Sequence, residues 1–496
     1  MIFLGIDSGT QSTKAVALDF ETGDILANVQ KGYELIPDLP PGHLEQHPSE
    51  WIKATEEVIL GCLEQLGDRR DEVAGIGVSG QQHGLVVLDE QDKVIRPAKL
   101  WCDTSTAEQC GMFESEFGGV SGLIELAGNV ILPGYTIPKL LWIKQNEPEN
   151  FTRVRTVLLP HDYINFWLTG VKRMEYGDAS GTGVLDVRSR QWCDELLNFV
   201  DPAVREMLPP LGSSLEAHGQ LRNDLAGEWS LSDGVMVSAG GGDNMMGAIG
   251  TGNVVPGVIT ASLGTSGTLY GVSGQPAIDA GGEVAAFCDS TDQWLPLVCT
   301  MNVTVVTEQI RKLFKLDLEG LENAVASSEP GAGGISFLPY LNGERTPNLP
   351  GGSGVIHGLR VDNMNQSHLA RAAMEGATLG LAYGLESFRG MGIIPSEIRL
   401  TGGGSNSAQW RQIAADVFNT PVVMLSTAEG AGLGAAIQAA YCSESGSTGY
   451  AELCSRFVAL DEKTRCDPDA ANVILYRELL EKQMGMTREL KAAGRL

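Results

Sequence analysis

Two patterns recur at long distance in this chain, and that recurrence limits the possible folds more than any single motif does. Near residue 240 the sequence reads VSAGGGDNMMGA: a short apolar strand, three glycines, then Asp243-Asn244 opening a helix. Near residue 402 it reads RLTGGGSNSAQW, with the same strand, three glycines, and Ser405-Asn406 opening a helix. The chain also begins with an apolar run into a polar glycine turn and a second strand, FLGIDSGTQSTK (Phe3–Lys14). An echo stands downstream, where Ile259–Leu263 runs into Gly264-Thr-Ser-Gly267 and out into Thr268–Val272. The period is too long for a solenoid. It predicts one domain duplicated and divided near residue 247, with domains of 1–246 and 247–496. A ligand belongs in the cleft that two such halves leave between them.

Local patterns agree with an α/β layer fold. Ile2–Ile6, Thr13–Asp19 and Ile25–Tyr33 read as strands, with a hairpin turn at Glu21–Asp24. Trp51, Ala54, Val58, Ile59 and Cys62 fall at helical spacing after Pro48, which predicts a helix to about Leu66. Val73–Ser79 and Leu85–Asp89 are further strands around the loop Gly80-Gln-Gln-His-Gly84.

Charge narrows the partners. With 35 basic and 62 acidic residues the net charge is −27, a surface that repels nucleic acid and anionic membranes. A phosphate-bearing ligand must then be held by local backbone donors and a cation, for which magnesium is the natural candidate. The N-terminus lacks a basic region and a long apolar run, so no signal peptide is expected. No window approaches the roughly 20 apolar residues of a membrane span. The nine cysteines are scattered without a CxxC pair, which suits reduced thiols in a cytoplasmic protein.

Each motif supports two readings. In the first turn, Gly9 permits a tight bend, and the amides and hydroxyls around Thr10, Ser12 and Thr13 can donate to phosphate oxygens. Asp7 can hold magnesium through water. The same residues also make an ordinary Asx-type hairpin turn, and Lys14 reads as a solvated strand residue. Gly264 and Thr265 supply the same chemistry without the carboxylate. A Walker A loop and a protein-kinase HRD motif are both missing, so a nucleotide would need another loop geometry. GAGLG (Gly430–Gly434) follows no convincing strand and reads as a small-residue helix face packed on a neighbour. At the glycine junctions Asp243 and Ser405 fit helix capping; Asp243, at the hinge between halves, also fits a base for a substrate hydroxyl. Its ordinary pKa of about 3.9 would leave it ionised at neutral pH. Gln81, Gln82 and His83 offer amides and an imidazole to a polyhydroxylated ligand, or form a polar surface loop. Trp101 and Asp103 supply an aromatic wall and a hydroxyl acceptor, or a buried core.

Assembled, these motifs resemble the FGGY family of carbohydrate kinases, essentially end to end, and within it the bacterial kinases of xylulose. One family signature is matched by GYTIPKLLWIKQN (Gly134–Asn146) and the second by GVIHGLRVDNMNQSHLARAAME (Gly354–Glu375). FLPYLNGERTP (Phe337–Pro347) is similar to the family's second domain. The resemblance implies two actin-like ATPase (ribonuclease H-like) domains with sugar and Mg-ATP in the central cleft, and it allows a homodimer. It implies Asp7 near magnesium and Gly9, Thr10, Ser12 and Thr13 in the first phosphate loop. Gly264 and Thr265 would form the second, and Gly402, Gly403, Gly404 and Asn406 the adenosine side. Asp243 would be the catalytic base, and Gln82, His83 and Asn244 would contact the sugar. Two departures bear on the sugar: Gln82 stands where methionine is usual, and Asp103 is followed by Thr-Ser-Thr rather than glycine and arginine. The implied reaction is phosphorylation of a pentulose, D-xylulose foremost. The alternatives are a kinase of another ketose or polyol such as ribulose, or an actin-like ATPase without sugar kinase activity.

Overall fold

A computed structural model describes residues 1–427, 429–443 and 447–496. Its frame is two seven-stranded sheets. In the first, the hairpin Ile2–Ser8 and Ser12–Asp19 continues antiparallel into Ile25–Gly32. On the hairpin's other side Val73–Gly80 and Met236–Ser238 run parallel, and Ala217–Gln220 closes the edge antiparallel. In the second, the hairpin Val258–Leu263 and Gly267–Gly271 continues into Trp294–Thr300 and Ala285–Cys288. Glu397–Thr401 and Val422–Leu425 run parallel on its other side, with Leu460–Cys466 antiparallel at the edge. Order and direction match strand for strand over six positions, so the duplication is present in the topology.

The topology pairs the glycine motifs differently from the sequence reading. Glu397–Thr401 adjoins the first hairpin strand, so its counterpart is Val73–Gly80 and Gly402–Gly404 corresponds to the Gly80–Gly84 loop. Met236–Ser238 lies one strand further out, like Val422–Leu425. Gly240–Gly242 and the helix Asp243–Gly250 therefore correspond to the approach to the helix Gly430–Ser443. The two GGG runs are alike only in sequence: Gly241–Gly242 forms a short strand beside Val73–Gly80 ahead of its helix, whereas Gly403–Asn406 is a 3-10 turn.

Those two helices join the halves. A Cβ on Gly434 would stand 1.9 Å from the Met246 carbonyl oxygen, and one on Gly250 1.6 Å from that of Gly430. The same helix seats on the first sheet, where a Cβ on Gly5 would reach 1.9 Å from the Gly432 oxygen. GAGLG is thus the packing face its small residues suggested. The expected division at 246/247 falls inside the helix Asp243–Gly250, and we place the passage between sheets in the segment from Gly250 to Val258.

The helix Pro48–Leu66 forms over the range its spacing indicates, with proline in its first turn and Gly67 at φ 57° ending it. Trp51, Val58, Ile59 and Cys62 are buried against the first sheet, each large apolar side chain contributing about 1.5–3 kcal/mol. The strand expected at Leu85–Asp89 is shorter, Val86–Leu88. A third core, built from Leu85 to Leu208, packs against Ala286 and Cys288 of the second sheet. Among the described residues no helix is long and apolar enough to cross a membrane.

Candidate active site

The first hairpin turn is built to present its backbone donors. Tyr33 and Gln81 N–H groups donate to the Gln11 and Ser8 carbonyls, the Tyr33 hydroxyl to Gly9 O at 2.6 Å, and Gln46 Nε2 to Thr10 O at 2.7 Å. The Gly9 N–H closes the hairpin on Ser12 O at 3.0 Å, and with these carbonyls drawn into the protein the turn leaves the amides at its tip, Thr10 and Gln11, for an anion. Its hydroxyls are largely committed. Thr13 is buried, its Oγ1 donating to Ser8, while Thr10 Oγ1 accepts from Trp101 Nε1 at 2.9 Å and Ser12 Oγ accepts from Gln30. The tip of the turn therefore offers the Thr10 and Gln11 amides and the Ser12 O–H, whereas the Gly9 N–H is taken by Ser12 O and the Thr13 hydroxyl by Ser8.

Asp7 lies at the end of the same strand, in register with Ser79, whose hydroxyl donates to its Oδ1 at 2.9 Å. Burial raises the Asp7 pKa against the Ser79 hydrogen bond and the Lys14 charge, and Glu429 raises it further. Lys14 is a partly exposed strand residue, and its Nζ lies 3.6 Å from Glu429 of the other half. The second turn repeats the arrangement, with Gly264 and Thr265 carbonyls accepting from the N–H groups of Thr304 and Val303. Beside it, a Cβ on Gly402 would lie 2.7 Å from the Leu263 carbonyl carbon and one on Gly404 3.0 Å from Leu263 Cβ, whereas nothing lies within 4 Å of Gly403. Of these three glycines, Gly403 faces open space. Asn406 is exposed there, its Nδ2 donating to Gly403 O at 3.2 Å.

Capping falls to other residues than expected. Gly242 holds the cap position of the helix Asp243–Gly250, and Ser407 caps Ala408–Phe418 by accepting from the Trp410 N–H. Asp243 Oδ1 instead accepts from the Asn244 N–H at 2.8 Å and from Asn244 Nδ2 at 3.0 Å. Its Oδ2 has no hydrogen-bond partner among the described residues. Burial, with the Asp7 and Asp178 carboxylates, pushes Asp243 up to about 7, so full ionisation at neutral pH does not hold for the unliganded protein.

Around this carboxylate stand the sugar-loop residues. His83 sits at φ 63°, its carbonyl held by Lys139 Nζ at 2.7 Å and the Thr136 hydroxyl at 3.2 Å. Its ring stacks on Tyr135 with centroids 4.7 Å apart, and its Nδ1 lies 2.7 Å from Gly181 O. A carbonyl only accepts, so Nδ1 carries the hydrogen and Nε2 is left as an acceptor. Burial and the Lys139 charge lower the His83 pKa to about 3, keeping the ring neutral. Gln82 Oε1 accepts from Asn244 Nδ2 at 2.8 Å. Trp101 lines the cleft under the Arg345 guanidinium, 5.8 Å from its ring centroid.

Asp103 is placed elsewhere. Fully buried, it accepts from the Leu44 and Ser105 N–H groups, the Ser105 hydroxyl and Lys99 Nζ, so it is not available to a ligand hydroxyl. His43, Glu45 and Asp103 have the spread of a metal set, but the Lys99 ammonium lies 3.1 Å from each of them. The residues that sequence reasoning passed over are Arg345, Lys139, Asp178 and His161. Both Arg345 and Lys139 lay inside the quoted family segments; for Lys139 a basic residue amid apolar ones was the available signal, whereas Arg345 follows Glu344 in a polar stretch that carries none. Asp178 and His161 sit in unremarkable sequence and are brought in only by folding.

The comparisons follow this geometry. Residues 2–250 match the N-terminal domain of the FGGY family of carbohydrate kinases, and residues 259–443 match its C-terminal domain. A xylulose kinase of Haemophilus influenzae is 42% identical, covering 97% of this chain and 99% of that protein. One of Escherichia coli is 34% identical over 96% of each. The crystal structure of a xyloylose kinase from Brucella ovis superposes with a TM-score of 0.92 at 31% identity, covering 99% of this chain and 100% of that one. Two duplicated sheets, two amide-lined turns and full-length similarity lead to one conclusion: this chain belongs to the FGGY family of carbohydrate kinases.

Proposed function

We propose that this kinase transfers the γ-phosphoryl group of ATP to a pentulose, D-xylulose foremost, giving D-xylulose 5-phosphate. The observation that carries the reading is the Asp243 carboxylate, with one oxygen engaged by Asn244 and the other open to the cleft beside His83 and the first hairpin turn. The relatives named as xylulose kinases support the choice of sugar. In the reaction, Asp243 Oδ2 takes the proton of the C5 hydroxyl as that oxygen bonds to the γ-phosphorus and the bond to the β–γ bridging oxygen breaks. The amides of the turns at Gly9–Ser12 and Gly264–Thr265 hold the phosphates, and the open face at Gly403 and Asn406 takes the adenosine. His83 Nε2 accepts a ketose hydroxyl, and the amides of Gln82 and Asn244 and the Trp101 face orient the sugar.

The acidic oxygen set around Asp7 fits a hard divalent cation held through water, and burial beside other carboxylates is a strain that such a cation relieves. Bound magnesium would neutralise charge on the ATP phosphates. The nine cysteines are all free thiols, which suits the cytoplasm. The test is ADP release from Mg-ATP across a panel of pentuloses, hexuloses and polyols. Xylulose should give the highest kcat/KM; a complete lack of sugar-dependent turnover would sink the kinase reading, and preference for ribulose would move the substrate.

A further inference from the structure

The loop that carries Arg345 is tied down along its backbone, and the guanidinium is left out of those ties. The buried Glu344 carboxylate turns onto the main chain. Its Oε1 accepts from the N–H groups of Met301 at 2.5 Å and Arg345 at 2.9 Å, and its Oε2 from Asn302 Nδ2 at 3.0 Å. Asn302 also closes the preceding turn, donating to Gly343 O at 2.7 Å and accepting from the Asn342 N–H at 3.1 Å. On the other side the Thr346 hydroxyl donates to the Glu283 carbonyl at 3.0 Å. The backbone at 345 is thus fixed on both sides, and its acidic neighbour is spent on main-chain donors.

The Arg345 side chain is half-buried, and among the described residues no carboxylate pairs with it. Its polar contact is Nη1 to Cys299 Sγ at 3.9 Å, a weak acceptor. The arginines before and after it in sequence, Arg311 and Arg360, lie against Glu308 and Asp362. A guanidinium keeps its charge at any ordinary pH and presents five N–H donors in a planar fork. Its Cζ lies 5.8 Å from the Trp101 ring centroid, and its Nη2 3.8 Å from where a Cβ on Gly134 would stand. Trp101 Nε1 donates to Thr10 Oγ1 of the first hairpin turn, and Tyr135, next to Gly134, stacks on His83. A side chain of the second half thus reaches over the wall of the first half on which the sugar-loop residues stand.

We infer that Arg345 is a sugar-binding residue supplied by the second half, donating from its fork of N–H groups to the ketose oxygens at C1 and C2, remote from the reacting C5 hydroxyl. The inference rests on the reading of this cleft as a ketose kinase site. Asp243 Oδ2 and His83 Nε2 are acceptors that suit sugar hydroxyls, and Asn244 Nδ2 already serves Gln82 and Asp243. A ketose carbonyl oxygen only accepts, so the end of the sugar that carries it needs a donor. The planar fork fits two adjacent oxygens at once, which a lysine ammonium does not. Because the arginine stands on one half and the sugar loop on the other, a ketose held by both ties the halves together.

The test compares the full-length kinase with Arg345→Met, which keeps an apolar stem over Trp101 and removes the donors. Binding of D-xylulose without nucleotide, followed by tryptophan fluorescence, should weaken at least about 10-fold, the usual share of a charged hydrogen bond. The KM for Mg-ATP and the melting temperature of the unliganded protein should stay at the parent values. A second probe, 1-deoxy-D-xylulose, lacks the C1 hydroxyl. The parent should prefer D-xylulose over it, and Arg345→Met should lose most of that preference, since the donor that the missing hydroxyl would leave unpaired is gone. Arg345→Lys guards against misfolding: it keeps the charge without the fork, so its loss of affinity should run the same way and be smaller. Parent-like binding of D-xylulose with a lowered kcat would place the guanidinium on the transferring phosphoryl group and overturn the inference. Weakened binding with a lowered melting temperature and an intact preference for D-xylulose would leave Arg345 a purely structural residue, and overturns it too. A parent that turns over no sugar removes the kinase reading. An active parent whose Arg345→Met variant binds D-xylulose normally removes the role of Arg345 alone.

Discussion

Asp243 shows how far a side chain's surroundings move its chemistry. In the unliganded fold it is held at about 7, whereas in the unfolded chain it returns to the ordinary carboxylate value. The folded state therefore keeps a proton that the unfolded state gives up. The stability this supplies is present below about pH 4 and is lost as pH rises toward about 7. Relative to the parent, Asp243→Asn should accordingly gain thermal stability across that window in metal-free buffer. A difference in melting temperature that stays flat from pH 4 to 8 would contradict the raised value. The same variant should lose sugar phosphorylation by about 10²-fold or more while still binding ATP, as general-base contributions require. Near-normal turnover would remove Asp243 from the mechanism. His83 belongs to the same scale: its lowered pKa of about 3 predicts no imidazole limb in the pH dependence of the sugar KM between pH 5 and 8.

At the scale of elements, glycines with the same local sequence do different things. Gly434 lets the helix Gly430–Ser443 touch the helix Asp243–Gly250 backbone to backbone. Gly434→Ala should therefore destabilise by about 2 kcal/mol through overpacking, measured as a lower midpoint in urea. A Cβ on Gly403 would have nothing within 4 Å, so Gly403→Ala should leave that midpoint unchanged and raise the KM for ATP. Equal destabilisation by the two changes would refute the division of labour. Helical spacing from Pro48 and the hairpin turns were legible in the sequence, because strand, turn and amphipathic helix follow from local pattern. The pairing of Gly240–Gly242 with Gly402–Gly404 was misread, because equivalence in a duplicated fold is a matter of strand order, which neighbouring residues do not encode. Asp103 was misread for a related reason: a carboxylate after a tryptophan looks alike in sequence whether it faces a sugar or the buried Lys99.

For the whole molecule, the helix pair between the sheets and the Lys14–Glu429 contact tie the two halves together, and the proposed reaction puts a different ligand on each. In the proposed site, sugar contacts would come mainly from the first half and adenosine contacts from the second, so occupancy of both sides should favour closure. A non-hydrolysable ATP analogue with magnesium and the sugar together should raise the melting temperature more than the sum of the two alone. Hydrolysis of ATP without sugar should run at least about 10-fold slower than transfer to it, since closure excludes water. Additive stabilisation, or sugar-independent ATPase at the same rate, would argue against a closing cleft.

The sequence by itself determined the duplication, the two hairpin turns, the capacity for phosphate and the family, because these rest on residue type and spacing along the chain. Tertiary structure alone decided which oxygen of Asp243 is open, that the Thr10 and Thr13 hydroxyls of the first turn are taken up within the protein, and that Asp103 belongs to Lys99. It also brought Asp178 to within 2.8 Å of His161 in the buried interior. Those outcomes depend on which donors meet which acceptors once the chain is folded, and on burial, which shifts a carboxylate's pKa only once the surrounding sheets have closed over it.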